Sequence, residues 1–237
     1  PGRRAPPPHL MAGPPTAGEA EREDVEFLPF VPSEGAVAAS STEDPSDGLS
    51  FGAFEDKMGW RAQPTAQVQF DDCRVPSDNL IGDEGCGFTY AMAGLDGGRL
   101  NIAASALGGA QYALESSLTY MNERKAFGKN LNQFQALQFK LADMEVKLQT
   151  ARTFLRQAAW KLDSQENDAS KFCAMAKLYV TDVSFVVANE ALQLHGGYGY
   201  LTDYGIEKIV RDLRVHQILE GTNEIMRLII SRQILEE

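Results

Sequence analysis

The stretch LQFKLADMEVKLQTARTFLRQAAWKL, residues 137–162, decides the fold. Its apolar positions Leu137, Leu141, Met144, Leu148, Ala151, Leu155, Ala158 and Leu162 alternate in steps of four and three, which lines one face of an α-helix. At about 1.5 Å per residue that face runs for more than roughly 35 Å, the length of a bundle helix. Its neighbours follow the same rule. Residues Phe88 to Arg124 read as a helix rich in Ala and Gly, small residues that permit close helix contact, and Ser170 to Leu194 as another, with Phe172, Ala176, Tyr179, Val183 and Val187 on its inner face. Gly196 and Gly197 stop that helix. A fourth helical stretch covers Ile206 to Val215, breaks at Glu220-Gly221 and restarts near Thr222 toward Leu235. The expected fold is mainly α: four long antiparallel helices in an up-down bundle.

Proline separates this region from what precedes it. All eleven prolines lie at or before Pro76, six of them in the first fifteen residues. Residues 1–47 are low in large apolar side chains and rich in Pro, Ala, Gly and acidic residues, so disorder is expected there, with Val25 to Val31 as a possible docking segment. Between the two lie short strand signals at Leu49 to Phe54 and Ala66 to Phe70. The expected divisions are therefore 1–47, 48–84 and 85–237.

Charge and composition narrow the function. The 237 residues carry 22 basic and 33 acidic side chains, a net charge of −11, which disfavours nucleic acid and anionic membrane surfaces as partners. No run of about 18 apolar residues suggests a membrane span, and the amino end has no apolar signal core. Three scattered cysteines and three histidines lack ligand spacing, so no metal is expected. The first residue is Pro1, which reads as a processed chain or a fragment.

Four motifs could carry chemistry, and each also has a plain structural reading. In HQILEGTNEIMR, residues 216–227, Glu220 sits at a helix break beside Ile218, Leu219 and Gly221, where it suits either a poorly hydrated general base or a solvated loop glutamate. QLHGGYGYL, residues 193–201, offers exposed backbone amides to a phosphorylated ligand, or simply ends a helix. Arg124, Lys125 and Lys129 suit a pyrophosphate or complement a helix dipole. Asp96 and Arg99, three residues apart in LDGGRL, suit a ligand or a surface ion pair.

Taken in order and spacing, these segments, with GLSF, MGWRAQPT, FDDCRVP and NLIGDEGCGF, resemble the acyl-CoA dehydrogenase family from about Gly48 to the end. The resemblance implies an FAD-dependent oxidation of an acyl-CoA thioester between its α and β carbons, and is greatest to members acting on short branched substrates such as isobutyryl-CoA in valine catabolism. Glu220 then matches the base that removes the α proton while the β hydrogen leaves as hydride to flavin N5. In some relatives the base stands instead at the position matched by Gly98. Arg124, Phe134 and Gln135 match residues that reach FAD across a subunit interface. Gln193, Leu194, His195, Gly196 and Gly197 match the loop along its adenosine half, and Thr222, Asn223 and Glu224 match further FAD contacts. Asp96, Gly97, Gly98, Arg99 and Arg232 match positions near the acyl-CoA.

The resemblance also implies a homotetramer, built as a dimer of dimers, that passes electrons to electron-transferring flavoprotein, in the mitochondrial matrix of eukaryotes or the cytoplasm of bacteria. In it, residues 48–84 are a remnant of the middle β domain, preceded in the family by further β and helical parts that here have no counterpart. Two other readings stand beside this one. The first is a non-catalytic helical oligomerisation module of the same ancestry, and the second is an acyl-CoA oxidase, which admits O₂ to the reduced flavin.

Overall fold

The computed structural model describes residues 48–236, so the expectations for residues 1–47 lie outside the described residues. The chain divides into two compact units. Among the described residues, 48–50 with 70–74 belong to one, and 51–69 with 75–236 to the other. Two short strands, β1 (Leu49–Phe51) and β2 (Val68–Phe70), stand where alternation predicted them. In the first unit the Asp71 amide donates to the Gly48 carbonyl at 2.8 Å. In the second, the Gly52 amide donates to Gln67 at 2.9 Å and the Glu55 amide to Thr65 at 2.8 Å.

The rest of the second unit is helical. Helix α1 (Gly87–Glu123) is followed by a two-residue hairpin, with Lys125–Ala126 (β3) antiparallel to Lys129–Asn130 (β4). Phe127 and Gly128 form its tip with φ of 51° and 81°, the twist such a tight turn requires. Helices α2 (Gln135–Asp163) and α3 (Ala169–His195) come next, then α4 (Ile206–Arg214) and α5 (Asn223–Glu236). The predicted ends of the first three helices fall within a few residues of those observed. The fourth bundle position is divided as the sequence predicts, into two helices of 9 and 14 residues, because the left-handed pair Glu220 and Gly221 interrupts the chain between them.

Side-chain pairs fix the helix directions. Arg152 Nη2 on α2 donates to Gln111 Oε1 on α1 at 2.9 Å, and Lys140 near the start of α2 pairs with Glu190 near the end of α3. Ser170 opens α3 beside Asp96 of α1, while His195 closes it stacked on Tyr120. Thus α2 runs antiparallel to both α1 and α3. Helix α3 is central and packs against α1, α2, α4 and α5. Ala103, Ala106, Ala110 and Ala113 are fully buried along α1, so its backbone comes close to its neighbours.

The α2 seam is the one expected, with Met144, Leu148, Ala151 and Ala158 buried. On α3 the expected Ala176 and Val187 are buried and Phe172 and Val183 pack against the core, whereas Tyr179 is exposed; the buried surface also takes in Cys173, Lys177, Val180, Ser184 and Ala191. A helix enclosed on several sides has no single apolar face for periodicity to reveal. Helix α3 with the turn after it, Ala169–Tyr200, is also the one stretch among the described residues long and apolar enough to cross a membrane, at a mean hydropathy of 1.2, and half of that window is buried inside the bundle.

Ahead of the bundle, residues 57–60 are bound to α4. The Trp60 amide donates to Asp212 Oδ1 at 2.7 Å, Arg211 Nη1 donates to the Met58 carbonyl at 2.7 Å, and the Trp60 ring meets His216 edge-on at 5.1 Å.

Leu148 has no exposed surface and belongs to the main apolar cluster. Leu148→Ala should lower the unfolding free energy by about 3 kcal/mol. The exposed neighbour substitution Val146→Ala should change it by less than about 0.5 kcal/mol. Urea unfolding with an unchanged m-value checks both.

Candidate active site and cofactor cleft

The loop between α4 and α5 is forced into an uncommon shape. Glu220 has φ of 55° and Gly221 φ of 86°, so a non-glycine residue sits in the left-handed region at a cost of about 1–2 kcal/mol. Such strain persists only where surrounding bonds hold it. Here the neighbours are specific. Lys177, on α3 and with no exposed surface, donates from Nζ to the Gly221 carbonyl at 2.7 Å and to Asn223 Oδ1 at 2.8 Å. Asn223 Nδ2 in turn donates to Asp182 Oδ1 at 2.7 Å and Thr181 Oγ1 at 3.1 Å, and Gln217 Nε2 donates to the same Asp182 oxygen at 2.7 Å. Thr222 caps α5, its Oγ1 accepting from the Ile225 amide at 3.4 Å.

This turn aims the half-buried Glu220 side chain across the bundle at α1. A β-carbon added to Gly98 would lie 2.5 Å from Glu220 Oε2 and 2.9 Å from Cδ, so the carboxylate rests on bare backbone that only glycine leaves free. Two residues separated by 122 positions in sequence thus share one place. Beside them, Arg99 is buried and donates from Nη1 to Asp96 Oδ1 at 2.6 Å, while Asp96 Oδ2 accepts from Ser170 at 2.6 Å. The Asp96–Arg99 pair is therefore a partly buried clamp between α1 and α3.

Burial governs the titration of the inner groups. It lowers Lys177 to about 8, against the raising influence of Asp182, Glu224 and Glu220. It lowers His216, whose Nδ1 contacts the Asp212 carbonyl at 3.2 Å, and it pushes the Cys173 thiol up to about 11, which keeps it protonated. The exposed Glu224 carboxyl is held low by the amide of its own residue and then by the Thr222 hydroxyl. No cluster of three or more His, Cys, Asp or Glu able to hold a metal occurs among the described residues.

A second group of predicted residues converges at the other end of α3. Arg124, Gln193, Leu194, His195, Gly196 and Gly197 line a cleft of about 500 Å³ with Tyr120 and Tyr198. Gly196 ends α3 with φ of 58° and ψ of −138°, a conformation closed to side-chain-bearing residues, and turns Gly196 and Gly197 outward. Arg124 lies 5.0 Å from the centre of the Tyr198 ring, and the buried His195 stacks on Tyr120 at 4.4 Å. Burial lowers the His195 pKa, favouring a neutral ring.

The remaining candidates fall elsewhere. Phe134 and Gln135 lie at the start of α2, between the lining residues Leu131 and Leu137 but outside the lining itself, with Phe134 covered by Lys129 at 4.2 Å. Arg232 is exposed on α5, and the Asn223 side chain is turned inward to Lys177. Sequence reasoning missed Lys177. Its signal was a lysine on the apolar stripe of α3, four residues after Cys173 and three before Val180.

Residues 85–235 match the family described as acyl-CoA dehydrogenase, C-terminal domain. Mitochondrial isobutyryl-CoA dehydrogenase of Bos taurus is 50% identical over 220 residues, 93% of this chain and 53% of that protein. Butyryl-CoA dehydrogenase of Megasphaera elsdenii superposes with a TM-score of 0.78 at 41% identity, covering 81% of this chain and 50% of that one. PigA, solved with FAD and proline, gives a TM-score of 0.74 at 30% identity over 79% of this chain and 49% of that one. The chain thus spans about half the length of such relatives. With the Glu220 turn, the glycine beneath it and the cleft beyond α3 all present in one helical domain, the chain belongs to the acyl-CoA dehydrogenase family.

Proposed function

We propose that the chain acts in the FAD-dependent α,β-dehydrogenation of a short branched acyl-CoA such as isobutyryl-CoA, with Glu220 as the base that takes the α proton. The observation that carries this reading is the seat of the half-buried Glu220 carboxylate against Gly98, where an added β-carbon would lie 2.5 Å from Oε2. A base held within an ångström of its working position gains most of what orientation offers to a proton transfer. FAD, when bound, supplies the acceptor for the hydride lost from the β carbon.

The cleft at the far end of α3 suits the phosphate-bearing half of that cofactor. Its donors are a guanidinium, a carboxamide and backbone amides, and an added β-carbon at Gly196 or Gly197 would meet nothing within 4 Å, so a ligand can approach the main chain there. Lys177 and Gln193 are 16 residues apart on one helix, about 24 Å. That span supports an arrangement in which the cleft serves the flavin of a second copy in a homotetramer. An electron-transferring flavoprotein is the proposed acceptor.

One feature favours the alternative of a helical oligomerisation module. A groove of about 820 Å³ crosses α2, α3 and α5, lined by Phe154, Met175, Leu178, Tyr179 and Ile230. Gel filtration with an absorbance scan separates the readings, since a colourless oligomer supports the module and a yellow one the enzyme.

Glu220→Gln should keep the fold and the flavin content while lowering dye-linked oxidation of isobutyryl-CoA by about 10³-fold or more, since an amide cannot accept the proton. Comparable turnover would place the base elsewhere. Gly98→Ala should displace the carboxylate and reduce turnover by about 10²-fold, with unfolding free energy changed by less than about 1 kcal/mol. Arg124→Ala should lower the flavin-to-protein ratio after gel filtration. An unchanged ratio would remove Arg124 from the pyrophosphate.

A further inference from the structure

A fully buried lysine needs a reason that packing does not give. An apolar side chain of similar length would fill the same space without desolvating an ammonium group, and buried charges persist where their hydrogen bonds hold something in place. Lys177 has no exposed surface, and both of its bonds go to the segment just after Glu220: the Gly221 carbonyl at 2.7 Å and Asn223 Oδ1 at 2.8 Å. It makes neither bond with its own helix. The partner it shares, Asn223, is itself fixed by Thr181 and Asp182 of α3.

The chain being held is the strained one. Glu220 and Gly221 are consecutive left-handed residues, and an unrestrained loop would relax Glu220 toward the ordinary region. The Gly221 carbonyl lies directly beyond them, so a bond to it fixes the rotation of the peptide that follows the turn. With Asn223 locked one step further, residues 221–223 are tied to α3 and Glu220 has a single direction in which to project. That direction leads to Gly98, where the tolerance is small.

We propose that Lys177 is a positioning residue: through the Gly221 carbonyl and Asn223 it holds the left-handed turn that lays the Glu220 carboxylate on Gly98. The inference rests on the reading of Glu220 as the base only for its effect on turnover. Its effect on geometry stands independently.

The test uses the full chain. Lys177→Met keeps the length of the side chain and removes the donors. A folded variant, with the helical circular dichroism of the parent, should show the Glu220 carboxylate moved off Gly98 in its crystal structure. Its kcat should fall about 10²-fold while KM changes by less than about threefold, because an orientation used only in the proton transfer is lost. A folded variant with the carboxylate still on Gly98 overturns the proposal. Retained turnover in Glu220→Gln, together with a displaced Glu220 in Lys177→Met, would instead reject the base and leave the positioning role standing.

Should Lys177→Met not fold, Asn223→Ala decides, because it removes one of the two acceptors that Lys177 holds. A folded variant should show the Glu220 carboxylate moved off Gly98 in its crystal structure, and an unmoved carboxylate overturns the proposal.

Discussion

Enclosure of α3 on several sides is the constraint that shapes the rest of the molecule. A helix in contact with α1, α2, α4 and α5 has little surface on which to leave a polar group in water, so Lys177 and Thr181 are answered from inside. Thr181 bonds back to the Lys177 carbonyl at 2.8 Å, which answers it locally. Lys177 is not answered that way, because its ammonium stands at the end of a long side chain, away from its own backbone. It reaches out of the helix and binds the loop that follows α4. At the other end α3 stops after the buried His195, where Gly196 turns the chain.

What was legible in the sequence follows from which physical signals are local. The α2 seam was readable because that helix has one buried face, and its steps of four and three carry through to burial at Met144, Leu148, Ala151 and Ala158. The helix stop at Gly196 was readable because glycine is the residue such a conformation admits. On α3 the reading was right for Ala176 and Val187 and wrong for Tyr179, and it was incomplete, since an enclosed helix buries residues such as Lys177 and Ser184 that lie off any single apolar face. The division of the last bundle position into α4 and α5 was readable too, because the break at Glu220-Gly221 and the helical spacing on either side of it are local signals.

The meeting of Glu220 with Gly98 had no local signal at all. It depends on the pitch of α1, the direction of α3 and the bond from Lys177, none of which is written near either residue. Asn223 illustrates the reverse case. Its place in the motif suggested a cofactor contact, whereas its side chain is spent on Lys177, Thr181 and Asp182.

The geometry also explains why one carboxylate, and not two, stands in this corner of the bundle. A side chain at 98 would begin 2.5 Å from Glu220 Oε2, inside the contact distance of any two heavy atoms. A carboxylate extended from that position and one extended from 220 would compete for the same few cubic ångströms. Were both somehow accommodated, like charges at such separation would force one to hold a proton and cease to act as a base. The two positions are therefore exclusive by sterics first and by electrostatics second. The strained turn brings the side chain of 220 to this place and the bonds of Lys177 hold that turn, whereas a side chain from the rigid interior of α1 would need none.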